Sequence, residues 1–140
     1  MIDNLGTFGP LLLFLLSIYV LWGNATYYIL GFVINTLLNV VLKQIIKQPR
    51  PDMTIERFKF ETFGMPSGHS QSVAFSTVFT YLSTQTQFIY LYVLISIITM
   101  VQRLVYNHHT FLQVLVGGLV GSMFAYSFYH LRRLHYRPVL

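Results

Sequence analysis

The sequence predicts an all-α fold, an integral membrane helical bundle of about five transmembrane helices. Charged residues make up only 9% of the 140 residues, and the mean hydropathy is +0.58. A soluble domain would carry roughly one quarter charged residues. The apolar residues also form long blocks, each about 18 to 22 residues long, which is the length of helix that crosses a bilayer. These blocks are Leu5–Trp22, Ala25–Ile46, Pro66–Ser83, Phe88–Tyr106 and Phe111–Leu131.

The apolar centre of the first block is short, as in a signal peptide, but no lysine or arginine precedes the block and no small-residue cleavage site follows Trp22. We therefore expect a retained helix. The tight connection at Gly23–Asn24 predicts that the first and second helices form a hairpin, and the connection near Thr84–Gln87 is short and uncharged. We expect a single multi-pass, membrane-embedded domain over residues 1–140, with a motif-bearing core at about residues 25–131.

Composition excludes several kinds of partner. The chain has no cysteine and only four carboxylates, none in a spacing typical of a metal cage, so we expect neither a metal nor another cofactor. The net charge of +5 is not gathered in a run suited to nucleic acid. Arg132, Arg133 and Arg137 close the chain, where we expect them to contact the headgroups of membrane lipids. The sequence leaves the oligomeric state open.

The ionisable residues converge on one membrane face. If each block spans the membrane once, the end of the second helix, the start of the third, the end of the fourth and the start of the fifth face the same side. Membrane helices seldom keep charge without a partner or a purpose. These ends carry Lys43 to Arg50, Pro66 to His69, Arg103, and His108 to Gln113.

The first polar segment is KQIIKQPRP, residues 43–51. Lys43 and Arg50 lie seven residues apart, about two helical turns, which predicts that they share one helical face. Asn35 and Asn39 extend that face inward at intervals of four. Taken alone, the segment is also explained by a snorkelling lysine and an arginine at a helix end.

The second polar segment is PSGH, residues 66–69. Pro66 and Ser67 predict a helix start with serine as its cap. The free N–H groups of a first helical turn, with Gly68 allowing close approach, form an anion site, and His69 can transfer a proton near neutral pH. An ordinary helix cap beside an incidental histidine is the alternative.

The third polar segment is RLVYNHHTFLQ, residues 103–113. Arg103 supplies a forked cation suited to phosphate oxygens. The periodicity predicts that Gln113 faces inward one turn beneath His109 and hydrogen-bonds its imidazole. The small residues of the same stripe permit close helix packing. That stripe is His109, Gln113, Gly117, Gly121 and Ala125.

Together the three segments indicate a phosphate site. Three basic side chains, a serine-glycine helix start and two histidines lie on one face. One histidine could attack phosphorus while the other protonates the leaving oxygen, which gives covalent catalysis without a metal.

The combined pattern resembles the three-part signature of the type 2 phosphatidic acid phosphatase (PAP2) superfamily. Its parts are Lys43-x6-Arg50-Pro51, Pro66-Ser67-Gly68-His69 and Arg103-x5-His109. The resemblance implies that His109 is the nucleophile, forming a phosphohistidine, and that His69 is the acid for the leaving group. It implies a lipid phosphate or lipid diphosphate substrate, such as phosphatidate or a polyprenyl diphosphate. It also implies that the phosphoryl group is held by Lys43, Arg50, Ser67, Gly68 and Arg103.

Two positions depart from the family pattern. Gln102 stands where a serine usually precedes the arginine, and Gln113 stands where an aspartate usually follows the histidine. An aspartate would fix the tautomer of His109 and stabilise its imidazolium; the corresponding loss costs about 10⁴ in turnover in a serine protease. We therefore expect weakened activity, unless Asp52 or Glu61 from the polar stretch at 47–65 substitutes, and we expect Gln113→Asp to raise turnover. The family core also commonly has six helices.

Three functions follow from these patterns. The leading hypothesis is a membrane phosphatase acting on a lipid phosphate or diphosphate. The second is a catalytically inactive relative with a structural or lipid-phosphate-binding role, and the third is a small channel or transporter. Positive charges outside the motifs balance across the two faces, but the acidic residues of the 47–65 stretch favour a cytoplasmic C-terminal tail and a lumenal or extracytoplasmic site.

Overall fold

The computed structural model describes residues 2–51 and 63–135. Five α-helices lie in these ranges, with a 3-10 turn at Trp22–Asn24 between the first two. The all-α class and the predicted helices are confirmed, and their ends differ from the predicted blocks by a few residues. The helices are α1 (Ile2–Val20), α2 (Ala25–Ile46), α3 (Gly68–Thr84), α4 (Ile89–Val105) and α5 (Phe111–His135).

The five helices are not equally suited to span a membrane alone. By length and composition, two stretches of the described residues qualify, Trp22–Ile46 and Phe111–Arg133, while Gly6–Val20 and Ile89–Val105 are shorter apolar helices. Of the five predicted blocks, two therefore contain a helix of the described residues that is long and apolar enough to cross a membrane by itself. Helix α3 packs against all four other helices, and buried serine, threonine and glutamine side chains make it more polar than a lipid-facing span.

Small residues bring α5 against α3. A Cβ atom added to Gly121 would lie 2.1 Å from the backbone oxygen of Gln71, and one added to Gly117 would lie 2.5 Å from that of Ser67. Ala125 continues the same face and is fully buried. The predicted small-residue stripe is thus confirmed as the surface by which α5 approaches the start of α3.

Two further glycines bring α1 against α4. A Cβ atom on Gly6 would lie 2.3 Å from Cβ of Gln102, and one on Gly9 would lie 1.9 Å from Oγ1 of Thr99. This pair lies outside the small-residue stripe that the sequence predicts. Because the start of α1 meets the end of α4, the first turns of α1 lie at the polar end of the bundle.

The other half of the bundle is an aromatic core. Tyr28 packs at 5.9 Å between ring centroids against both Phe75 and Phe79. Its hydroxyl group is 2.7 Å from that of Ser76, so the phenol is buried with its hydrogen bond satisfied. This aromatic packing holds α2 against α3, and both helices carry polar side chains at the other end of the bundle.

Candidate active site

The first polar segment does not continue as a helix to Arg50. Helix α2 ends at Ile46, where Lys47 adopts the left-handed conformation (φ 50°, ψ 31°). Pro49 and Pro51 follow, and a residue that precedes proline is driven away from helical geometry. The prediction that Lys43 and Arg50 share a helical face is therefore wrong, although Asn35, Asn39 and Lys43 do lie buried along α2.

The chain after α2 pairs with the segment that leads into α3. Pro49 forms an isolated antiparallel bridge with Phe63, and the amide of Gly64 donates to the carbonyl of Gln48 at 2.7 Å. Lys43, only 5% exposed, donates from Nζ to the carbonyl of Phe63 at 3.2 Å. These contacts hold the segment that carries Arg50 at the polar end of the bundle, although this segment is not helical.

Helix α3 begins at Gly68 with Ser67 in the capping position. The predicted position is right, but the Ser67 side chain makes no capping hydrogen bond; its Oγ accepts from Oγ of Ser70 at 3.1 Å. The Ser67 amide donates to the carbonyl of Gln113 at 3.0 Å, which joins the second segment to the third. Gly68 lies against Asn39, whose Oδ1 would be 3.1 Å from an added Cβ atom.

Cations from all three segments surround the histidines. Arg103, Arg50 and Lys43 act electrostatically on His69, whose ring is also hydrogen-bonded to the backbone of Thr7. Arg50 NH1 donates to Nε2 of His109 at 3.4 Å. The residues that the sequence placed on one membrane face therefore do come together in space.

His109 is buried in the connection between α4 and α5, with 3% of its surface exposed. Burial, and then the charges of Arg50 and Lys43, lower its pKa from the ordinary 6.5 to about 3. The imidazole is consequently neutral at pH 7, with one ring nitrogen protonated and the other carrying a lone pair.

Gln113 determines which ring nitrogen of His109 carries the proton. Its Nε2 donates to the carbonyl of Pro49 at 2.9 Å and to Oε1 of Gln48 at 3.0 Å, and its Oε1 accepts from the amide of Thr110 at 3.2 Å. A backbone carbonyl can only accept and a backbone amide can only donate, so the amide cannot be flipped. Oε1 also lies 3.2 Å from Nδ1 of His109. Nδ1 must therefore carry the proton, and Nε2 holds the lone pair toward Arg50.

The predicted hydrogen bond between Gln113 and His109 is thus confirmed. The hydrogen bonds that the Gln113 amide donates to Gln48 and Pro49 were not predicted. They tie the 48–49 segment, and with it Arg50, to the start of α5. Gly64 permits this arrangement, since a Cβ atom there would lie 2.6 Å from the Gln113 amide. Asp52 and Glu61, the proposed substitute carboxylates, lie outside the described residues.

The second departure, Gln102, is built into the site in a similar way. Its Oε1 accepts from Nε of Arg103, and its Nε2 lies 3.4 Å from Oγ1 of Thr7. Arg103 NH2 donates to the same Oγ1 at 3.1 Å. Thr7 is the residue that sequence reasoning missed; the available signal was the Gly6 and Gly9 pair around it. Among the described residues, no group of three or more histidine, aspartate or glutamate side chains could hold a metal ion.

Several known proteins are similar to this chain. It is 35% identical over 116 residues to lipid phosphate phosphatase epsilon 1 of Arabidopsis thaliana, covering 76% of this chain and 40% of that protein. It is 32% identical over 108 residues to the dolichyldiphosphatase of Saccharomyces cerevisiae, covering 66% of this chain and 45% of that protein. The chain therefore spans less than half the length of these curated relatives.

A solved structure shares the fold. The transmembrane PAP2-type phosphatidylglycerolphosphate phosphatase of Bacillus subtilis superimposes with a TM-score of 0.73 at 22% identity, covering 99% of this chain and 76% of that one. The family model of the PAP2 superfamily matches residues 24–137, which include all three polar segments. The chain belongs to the PAP2 superfamily.

Proposed function

We propose that this chain hydrolyses a lipid phosphate or polyprenyl diphosphate through a phosphohistidine on His109. The observation that carries the proposal is the neutral, buried His109, with Nδ1 hydrogen-bonded to Gln113 and Nε2 directed toward Arg50. A neutral imidazole of fixed tautomer beside several cations is suited to attack a phosphoryl group. The substrate class is supported by relatives named as lipid phosphate and dolichyl diphosphate phosphatases.

In the first step, the Nε2 lone pair attacks phosphorus and the bond to the leaving oxygen breaks. Lys43, Arg50 and Arg103, with the hydroxyl group of Ser67 and the amide of Gly68, hold the phosphoryl oxygens in this proposal. The negative charge of the bound substrate favours the imidazolium form of His69, which gives its proton to the leaving oxygen.

In the second step, water attacks the phosphohistidine. His69, now neutral, accepts a proton from the water, and inorganic phosphate leaves as the bond between phosphorus and Nε2 breaks. His109 returns to its starting tautomer, because Gln113 holds the proton on Nδ1 throughout. The oxygen of Gln113 stabilises the charged imidazole less than a carboxylate would, so we expect slow turnover.

Phosphate release tests this proposal. Purified protein in detergent should release inorganic phosphate from phosphatidate or a polyprenyl diphosphate without added metal, and His109→Asn should not. His109→Asn keeps a donor that can reach Gln113 but has no nucleophile. Release by wild type that is no greater than by the variant, on both lipid classes, would contradict the proposal.

A catalytically inactive, phosphate-binding relative is the second candidate, favoured by the uncharged Gln113. The two candidates share an oxyanion site, so tungstate should raise the melting temperature in either case. A tungstate concentration one hundredfold above Kd should stabilise the folded protein by about 2.7 kcal/mol. Arg50→Ala and Arg103→Ala should each reduce the shift; a shift that survives in both would place the anion elsewhere. Binding without turnover would identify the inactive relative.

We also propose that the site faces the lumen or the outside of the cell and that the C-terminal tail is cytoplasmic. The balance of charged residues around the 47–65 stretch supports this orientation. Cysteine labelling of a C-terminal tag in intact cells tests it: the tag should be protected, and labelling from outside would overturn the orientation.

A further inference from the structure

We infer that α1 contributes a positioning residue to the phosphate site: Thr7 fixes the guanidinium of Arg103. The inference rests on the proposed function, in which Arg103 holds a phosphoryl oxygen. Thr7 lies outside residues 24–137, which the family model matches, and none of the three signature segments includes it.

Thr7 contacts Arg103 directly. Its Oγ1 accepts from Arg103 NH2 at 3.1 Å, while Gln102 Oε1 accepts from Arg103 Nε. A guanidinium is planar, so hydrogen bonds to two of its nitrogens fix both its position and the direction of its plane. Arg103 is only 6% exposed, and a buried cation without such partners would be costly.

The second contact of Thr7 is with His69. The ring of His69 is hydrogen-bonded to the Thr7 backbone. One residue of α1 therefore contacts both the proposed acid and one of the proposed phosphate-binding cations, through different atoms. Because the backbone contact does not depend on the side chain, a substitution of the Thr7 side chain removes the hydroxyl contacts with Arg103 and Gln102 and leaves the His69 contact in place.

The docking of α1 explains how Thr7 reaches this position. The close contacts of Gly6 with Gln102 and of Gly9 with Thr99 leave no room for side chains. They hold the backbone of α1 tightly on α4, where Thr7 Oγ1 also lies 3.4 Å from Gln102 Nε2. We conclude that Thr7, Gln102 and Arg103 act as one unit that sets the direction of the guanidinium.

Tungstate affinity of purified full-length protein in detergent tests the inference without requiring turnover. Thr7→Val, which keeps the branched shape and removes the hydroxyl group, should weaken binding about tenfold, the effect expected for one hydrogen bond to a charged group. Thr7→Ser should stay within about twofold of wild type, because it restores the hydroxyl group. In an Arg103→Ala background, Thr7→Val should cause no further loss, since the two residues act through one contact.

Ser17→Ala is the matched control for loosening of α1. Ser17 lies on the same helix at the other end, buried and hydrogen-bonded to Tyr92 at 2.9 Å and Thr80 at 3.1 Å. Its substitution should lower the melting temperature and leave tungstate affinity unchanged. If Ser17→Ala weakened binding as much as Thr7→Val, the effect would come from helix docking and the inference would be overturned.

Three further results would overturn it: wild-type affinity in Thr7→Val, an equal additional loss in the Arg103→Ala background, or a wild type that binds no tungstate. Failure of the proposed function is distinguishable, since it appears in the phosphate-release assay. Tungstate binding that weakens in Thr7→Val and recovers in Thr7→Ser supports the positioning role even where no phosphate is released.

Discussion

Gln102 and Gln113, the two departures from the family signature, stand on different helices and use their amides in the same way. In each, the oxygen accepts a hydrogen bond from a proposed site residue, Arg103 in one case and His109 in the other. In each, the nitrogen lies within hydrogen-bond distance of a chain segment remote in sequence: Thr7 for Gln102, Gln48 and Pro49 for Gln113. Each glutamine therefore links a proposed site residue to a segment that is distant in the sequence.

The difference lies in what holds each amide. Backbone groups of Pro49 and Thr110 fix the orientation of Gln113, whereas Gln102 contacts the side chains of Arg103 and Thr7. Backbone groups cannot rotate away as side chains can. We conclude that Gln113 is the more rigid of the two and that its loss should cost more, although it lacks the charge of the aspartate it replaces.

The largest expected effect comes from removing each amide in turn. Gln113→Leu should lower kcat/KM at least about a hundredfold, because it releases both the tautomer of His109 and the segment that carries Arg50. Gln102→Leu should lower it by about tenfold, because Arg103 loses one partner and keeps Thr7. Steady-state phosphate release, with melting temperatures as the control for folding, measures the pair. Equal losses would remove the proposed distinction.

Gln113→Asp separates the two roles of that amide. The carboxylate should stabilise the imidazolium and speed phosphohistidine formation at saturating substrate. However, it cannot donate to Pro49 or Gln48, so we expect tungstate affinity to fall about tenfold as Arg50 loses its support. Single-turnover rates and tungstate titrations check the two effects separately. An unchanged affinity would mean that the donated hydrogen bonds do not position Arg50.

Most of the fold was predictable because it follows from local sequence patterns. The helical blocks follow from apolar runs of spanning length, and the inward position of Gln113 and the stripe through Gly121 follow from the helical repeat of 3.6 residues. The position of Arg50 outside the helix also follows from the local sequence, because Pro49 and Pro51 flank it. The spacing of seven residues from Lys43 does not by itself reveal this. The role of each site residue remains a prediction.

The remaining contacts join residues far apart in the sequence. Thr7 and Arg103 are 96 positions apart, and Gln48 and Gln113 are 65 apart. Nothing in the spacing of either pair indicates contact, because each depends on which helices pack together. Only the glycines at positions 6 and 9 gave a hint that α1 lies close to another helix.

A third, smaller pair of effects compares how the two glutamine-bearing helices are packed. Gly121→Ala should destabilise the protein by about 1–3 kcal/mol, because the new methyl group meets the backbone of Gln71. Folded Gly121→Ala should still bind tungstate within about twofold of wild type. Gly6→Ala should displace Gln102 and weaken tungstate binding a few-fold, roughly as loss of one hydrogen bond does. Thermal unfolding and tungstate titration of both variants test these expectations. A wild-type tungstate affinity in Gly6→Ala would mean that the packing of α1 does not position Gln102.

The last pair of effects concerns pH. The pKa of His109 is about 3 when folded and near 6.5 when unfolded, so the unfolded chain binds its proton first as the pH falls. Relative to His109→Asn, wild type should lose stability as the pH falls from about 6.5 to about 3, and the difference in stability between the two proteins should not change with pH above about pH 7. Gln102→Leu should keep the wild-type slope, since Arg103 does not titrate in this range. Melting curves across the range would contradict this if wild type and His109→Asn ran parallel.

The most direct test of the central claim is a search for the covalent intermediate. We predict that wild-type protein carries a base-stable, acid-labile phosphoryl group on Nε2 of His109 after mixing with phosphatidate or polyprenyl diphosphate that is radiolabelled in the transferred phosphate. The reaction is quenched in alkaline detergent, because acid would hydrolyse the bond between phosphorus and nitrogen. Nε2 is expected because Gln113 keeps the proton on Nδ1. His109→Asn should carry none. Phosphate release without any adduct on His109, or an adduct on Nδ1, would contradict the account.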